Sequence, residues 1–284
     1  RIDVRGSIGI TQMLGPLESP YELMRRADVA MYAAKDAGRD NFMLYEAGMS
    51  SHQEHRLSTV SDLSAALGRG AFELVYQCVV ELASMKIVGC EALLRWHHPR
   101  YGLISPAEFI PAAEESGLVI PIGLWVLQQA CRDARQWPAG MSVAVNVSAI
   151  QIGSPSIVAS VVEAVRSSGL DPDVVELEIT ESAIARDDQG ARKVLQELRT
   201  QGFRLSIDDF GTGYSSMVQL RELPFDRLKL DRSFVAGLSG ERSTASRAII
   251  DSLLHLSRSM DLSMIAEGVE TEAEFRALRE MGCQ

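Results

Sequence analysis

The sequence predicts an α/β protein, a modified TIM-type barrel with one antiparallel strand, preceded by a partial α+β fragment. Three observations predict it. From Phe72 onward, short apolar runs alternate with longer amphipathic stretches, the pattern of a parallel sheet with covering helices, open or closed into a barrel. Only six residues, Glu81 to Lys86, separate the first two strands of that series. A parallel crossover needs a dozen or more, so these two must pair as an antiparallel hairpin. The first 46 residues read strand, helix, strand, too few elements to close a core, and are expected to be the tail of a domain.

In the leading fragment (1–46), Val4 to Ile10 alternates as a strand and Ser19-Pro20 opens a helix, with Pro near its first turn. Leu23, Ala27, Ala30, Met31 and Ala34 share one helical face, Gly38 ends the helix, and Asn41 to Tyr45 reads as a short strand. Residues 47–70 are polar and then helical, with Leu57, Val60, Leu63 and Leu67 at 3–4 spacing, and are expected to form a linker helix. The barrel occupies 71–284. Its expected strands are Phe72–Val80, Ile87–Leu94, Ser142–Val147, Val174–Ile179, Arg204–Asp208, Arg227–Leu230 and Ser263–Glu267. Ser105-Pro106-Ala107-Glu108 has the form of a capping box with Pro at the first helical position. Gly169 and Gly202 stand where helix C-termini favour a left-handed residue. Seven strands leave closure one short, and the sequence reaches Gln284 before supplying an eighth.

Composition narrows the function. Twenty-eight Lys and Arg against 38 Asp and Glu give 284 residues a formal charge of −10. That balance argues against binding duplex nucleic acid, where basic side chains neutralise phosphates. It leaves room for a small phosphate ligand held with a metal cation. Cys78, Cys90, Cys131 and Cys283 lack CxxC spacing and read as free thiols in a reducing, cytoplasmic compartment. No apolar run approaches the ~18–20 residues that span a bilayer. The sequence begins at Arg1 without Met, so a fragment is expected, and a membrane anchor outside it stays open.

Strand residues alternate faces with period two. Val143, Val145 and Val147 oppose Asn146. Val175, Leu177 and Ile179 oppose Glu176 and Glu178. Leu205 and Ile207 oppose Ser206 and Asp208. Leu228 and Leu230 oppose Lys229 and Asp231, and Glu267 ends the last strand opposite Met264 and Ala266. Glu91 and Arg95 share a face of the second strand, about 13 Å apart at ~3.3 Å per residue. If the aliphatic faces pack on helices, the polar strand ends converge at the barrel mouth, where such barrels keep their chemistry. The converging set is Glu91, Asn146, Glu178, Asp208, Asp209, Lys229 and Glu267. One carboxylate at a strand end is ordinarily a helix cap or a solvated loop residue, but so many ends in register are hard to obtain that way. Gathered carboxylates repel and raise each other's pKa unless a cation neutralises them. Carboxylate and amide oxygens suit Mg²⁺ or Mn²⁺, and two such ions about 3.5–4 Å apart form the clamp of phosphodiester hydrolysis. His97-His98 alternate faces and cannot readily chelate together; a loop or surface role is expected for them.

Glu91-Ala92-Leu93, followed by Leu94-Arg95-Trp96, resembles the signature of EAL domains, which hydrolyse cyclic di-GMP. The likeness runs from about Leu74 onward. It includes Tyr76-Gln77, Gly102 to Pro111, Asn146-Val147-Ser148, Glu178-Ile179-Thr180-Glu181, Asp208-Asp209-Phe210-Gly211-Thr212-Gly213, Lys229-Leu230-Asp231 and Glu267-Gly268-Val269-Glu270. The resemblance implies that Glu91, Asn146, Glu178 and Asp208 hold one metal ion. Asp208, Asp209 and Glu267 would hold a second, the last through water. It also implies that Arg95 contacts a substrate phosphate, where a guanidinium fork suits two oxygens. Lys229 would orient or help deprotonate the attacking water. Gln77, Leu94 and Asp231 would contact the dinucleotide, and Glu181 would anchor a loop, 209–216, that couples dimer contacts to the metals.

Ser7-Ile8-Gly9-Ile10 and the run from Ala27 to Asp40 resemble the C-terminal end of a GGDEF domain, the fold of diguanylate cyclases, without its signature loop. Two departures stand out. Cys78 occupies a position where the EAL family usually has Pro. The family's last strand and helix lie beyond Gln284, so an open sheet edge is expected. The implied function is two-metal hydrolysis of cyclic di-GMP to linear pGpG by a homodimer. The alternative is a sensor or regulatory scaffold of the same fold that binds without cutting.

Overall fold

The computed structural model describes residues 6–13, 19–36, 41–46, 60–184, 188–211, 223–239 and 243–283. The chain divides into two compact units, 1–69 and 70–284.

In the first unit β1 (Ile8–Ile10) pairs in parallel with β2 (Phe42–Leu44), Ile8 opposite Phe42, joined through α1 (Pro20–Asp36). The expected strand–helix–strand order is present, with the strands shorter than expected; residues 4 and 5 lie outside the described set. The helix lies directly on β1: a Cβ at Gly9 would collide with the backbone of Ala27 and Met31, so only glycine permits that approach. Ala30 and Ala34 are buried on the helix. Residues 60–69 of the expected linker helix are helical; its first half lies outside the described residues.

The second unit is a mostly parallel sheet with helices. Its strands are β3 (Phe72–Glu81), β4 (Lys86–His98), β5 (Gly102–Ile104), β6 (Ser142–Asn146), β7 (Val175–Thr180), β8 (Arg204–Phe210), β9 (Arg227–Leu230) and β10 (Ser263–Ala266). Pairing runs β10-β9-β8-β7-β6-β4-β3, and β5 adds to β4. The path does not close among the described residues, so the fold is an α/β half-barrel rather than a closed one. The β3–β4 hairpin is antiparallel, as the short connection requires, and β5 supplies a second antiparallel pairing that the sequence reading did not include. Three residues are too few to show a period. All other pairings are parallel.

The aliphatic strand faces form the core. Val143, Val175, Leu177, Leu205, Leu228 and Leu230 are at most 1% exposed. Helices Val119–Ala134, Ile157–Ser168 and Asp188–Thr200 add buried residues such as Cys131, Val165 and Leu195. Phe72, Trp96 and Phe109 cluster with ring centroids 5.5–6.3 Å apart. Gly169 (φ 75°) and Gly202 (φ 95°) are left-handed as expected.

The helix Pro106–Ser116 starts at its proline, but Ser105 makes no side-chain cap. Reciprocal boxes form instead at Ser148–Gln151 and Thr271–Glu274. The extension of β4 to His98 changes the histidine reading. His97 bonds Glu73 at 2.6 Å, whereas His98 is buried, stacks on Tyr101, and accepts from the backbone N–H groups of Arg100 and Tyr101. Among the described residues no helix is long and apolar enough to cross a membrane.

Candidate metal centre

The parallel ladder aligns the strand ends. Glu91 stands opposite Ala144, Asn146 opposite Glu178, and Thr180 opposite Asp208. Cα partners in a ladder point to the same face, so side chains separated by more than a hundred residues in sequence meet on one side of the sheet.

They meet at the ammonium of Lys229. Its Nζ lies 2.7 Å from Glu178 Oε2, 2.7 Å from Glu267 Oε1, 3.1 Å from Glu91 Oε2 and 3.2 Å from Asp208 Oδ1. Asn146 Nδ2 donates to the other oxygen of Glu91 at 2.8 Å. Lys229 is 3% exposed and Glu178 2%. Four carboxylates around one ammonium leave three negative charges in excess when all are ionised. The electrostatics follow from that imbalance. Burial, opposed by Lys229 and reinforced by Glu91 and Asp208, raises the Glu178 pKa well above the usual carboxylate range. Burial likewise raises Glu267. Lys229 is itself pushed up, because attraction to Glu178, Glu91, Asp208 and Glu267 outweighs the cost of burying the ammonium.

The remaining candidates lie on β3, β4 and β8 and directly after β7 and β9. Asp209 takes a left-handed backbone, φ 55°, and its pKa is raised by partial burial and by Asp208 and Asp231. Its backbone N–H donates to Asp208 Oδ1 at 3.0 Å. Glu181, buried, accepts from the Gly211 N–H at 3.0 Å. Of the expected loop 209–216, residues 212–216 lie outside the described set. Asp231 accepts from the Ser233 N–H and caps a short helix, Arg232–Ala236, which lowers its pKa. Gln77 is exposed and stands opposite Glu91 in the hairpin. Arg95 donates to the Leu94 carbonyl at 2.9 Å. Leu94, Arg95 and Asn146 line a cavity of about 340 Å³ together with Ile110, Val126 and Ala183.

The sequence reading placed Glu176 on the face of Glu178 but gave it no partner. Glu176 and Arg227, two residues before Glu178 and Lys229, form an ion pair beneath them. Glu176 Oε1 and Ser206 Oγ are buried there without a hydrogen-bond partner. The i, i+2 spacing of both charges was the available signal.

The donor set fits a divalent cation by its chemistry: hard carboxylate oxygens and one amide, with charge to spare. In this arrangement the oxygens turn to the ammonium, and among the described residues no three His, Cys, Asp or Glu side chains are disposed around one metal position.

Comparison with known proteins places this architecture. MucR of Pseudomonas aeruginosa, named a bifunctional diguanylate cyclase/cyclic di-GMP phosphodiesterase, is 42% identical over 99% of this chain and 42% of its own length. An uncharacterized signaling protein of Caulobacter vibrioides is 39% identical over 98% of this chain and 34% of its own. The chain thus spans less than half the length of these curated relatives. Among solved structures, the PaMucR phosphodiesterase in complex with c-di-GMP is 42% identical, with a TM-score of 0.76 over 80% of this chain and 93% of that one. The EAL enzyme Bd1971, bound to cAMP and cyclic di-GMP, is 32% identical with a TM-score of 0.78 over 95% of this chain and 71% of that one. The EAL domain model matches residues 60–284, which contain every strand of the half-barrel and every member of the carboxylate cluster, and the chain belongs to the EAL domain family.

Proposed function

We propose that the chain hydrolyses one phosphodiester bond of cyclic di-GMP to give linear pGpG, using two Mg²⁺ or Mn²⁺ ions. The observation that carries this reading is the convergence of Glu91, Glu178, Asp208 and Glu267 on one point at the strand ends. The names of MucR and of its c-di-GMP complex support the substrate.

In this proposal Glu91, Asn146, Glu178 and Asp208 hold one cation, and Asp208, Asp209 and Glu267 the other. Bound there, the ions would supply Lewis acidity and a more acidic water. The protein side chains do the rest. Lys229, already ion-paired with four carboxylates, orients the attacking water, and its positive charge helps the water lose its proton. Arg95 lines the 340 Å³ cavity, and its guanidinium takes a phosphate oxygen pair. Gln77, Leu94 and Asp231 bound the dinucleotide site. Glu181 anchors the strand end carrying Asp208 and Asp209.

Residues 1–46 are read as the end of a GGDEF-like domain. The MucR alignment extends over that segment, and the name of MucR carries both activities. The active unit is read as a homodimer, which light scattering of the purified chain checks.

Chromatography of cyclic di-GMP incubated with the protein, with and without Mn²⁺, tests the activity. Metal-dependent pGpG is expected. Glu91→Ala and Asp208→Ala each abolish it, and EDTA does so reversibly. Tight binding by calorimetry with no pGpG in Mn²⁺ would instead identify a sensor.

A further inference from the structure

Two of the four cysteines face each other on the hairpin. Cys78 of β3 and Cys90 of β4 are direct cross-strand partners, and their sulfurs are 3.8 Å apart. Directly opposed residues in an antiparallel ladder have Cα atoms about 4.5 or 5.5 Å apart, and both separations lie inside the disulfide range of about 4.4–6.8 Å. Cys78 is exposed and Cys90 is buried, so one thiol is open to small oxidants and its partner is shielded behind it. Cys131 and Cys283 are both buried. Cys283 lies against the Met264 carbonyl, and neither has a cysteine across a ladder.

We propose that Cys78 and Cys90 form a redox-responsive pair that closes to a cross-strand disulfide under peroxide-class oxidants and reopens with thiol reductants. The chemistry balances without any other group. The Cys78 thiol gives up its proton, the thiolate attacks a peroxide oxygen and the O–O bond breaks, leaving a sulfenic acid and a hydroxide that takes up that proton as one water. The Cys90 sulfur then attacks the sulfenic sulfur, the S–S bond forms, and the hydroxyl leaves as a second water with the Cys90 proton. Two thiols give up two electrons and the peroxide takes them. In a reducing compartment such a bond is transient, the usual form of intracellular disulfides.

The consequence is mechanical. Among the described residues β3 stands at the end of the pairing path and is laddered to β4. The next rung is Gln77 opposite Glu91. By strand alternation the thiols project on the face opposite to Glu91, so the cross-link tethers that rung from behind without entering the carboxylate cluster. This inference does not depend on the hydrolase reading.

The test treats the purified chain with hydrogen peroxide and follows intact mass and non-reducing peptide maps. The expected product has lost two hydrogens, links the peptides containing Cys78 and Cys90, reverts with dithiothreitol, and is absent from Cys78→Ser. Amide exchange over residues 72–81 and 86–98 is expected to slow in the oxidised wild type and to stay unchanged in peroxide-treated Cys78→Ser. Accumulation of sulfinic acid at Cys78 with no cross-link would overturn the pairing. A cross-link with no slowing of exchange would overturn the tether.

Discussion

Replacing Lys229 with Met removes the ammonium that lies among four carboxylates and takes from buried Glu178 its Lys229 partner. Breaking a buried ion pair by deleting one member costs about 3–5 kcal/mol. The other three carboxylates are 13–29% exposed, so solvent screens part of their repulsion, and the total stays in that range. For a domain of this size the loss corresponds to a fall in melting temperature of roughly 6–20 °C.

The pH dependence gives the prediction its signature. Glu178 and Glu267 already have raised folded-state pKa values, and Lys229 is a group that holds them down. In the Met variant they rise further. A carboxyl whose folded pKa is raised binds its proton more tightly when folded. Its contribution is therefore present below the unfolded value near 4.5 and is lost as pH rises through the folded value. The deficit of Lys229→Met should be largest near pH ~8 and shrink toward pH ~5. Lys229 itself, raised above 10.5, contributes evenly across that window. Thermal melts of both proteins in EDTA, from pH ~8 to ~5, measure it. A deficit under about 1 kcal/mol at pH ~8, or one that does not change with pH, would refute the electrostatic account.

Other perturbations probe the supports of the site. Gly89→Ala places a Cβ against Ser142 Oγ and 2.7 Å from the Ser142 carbonyl oxygen; forcing β4 from β6 should cost about 1–3 kcal/mol in urea melts. Leu177→Ala, in the core behind Glu178, should cost about 2–5 kcal/mol. Glu181→Leu strips the acceptor from the Gly211 N–H and should cost about 1–3 kcal/mol, measured the same way. Thr271→Ala breaks the capping box with Glu274 and should cost about 1 kcal/mol in thermal melts.

Much of the site was legible because period-two alternation is a local property. Asn146, Glu178, Asp208 and Lys229 each oppose aliphatic neighbours, and once the strands are parallel their ends must gather. The hairpin was legible from chain length alone. The pairing of Cys78 with Cys90, and of Gln77 with Glu91, was not. The turn end of the hairpin pairs Glu81 with Lys86 and Val80 with Ile87, but a register shift next to Val79 leaves Val88 without an opposite residue. Carried inward without that bulge, the turn's register would set Tyr76 opposite Glu91 and Gln77 opposite Cys90. Such an insertion exchanges every rung beyond it, and no composition or spacing announces it.

By itself the sequence determined which residues can lie on one face and which chemistry their oxygens favour, because both follow from backbone geometry and side-chain type. Only the tertiary structure decided where those faces meet. Lys229 was legible as a member of the set; that its ammonium is the point where Glu91, Glu178, Asp208 and Glu267 converge depends on the register of strands far apart in the chain. So do the tier of Glu176 and Arg227 beneath it and the opposed thiols of the hairpin. Such contacts arise from packing summed over the whole sheet, and no local window of sequence contains that sum.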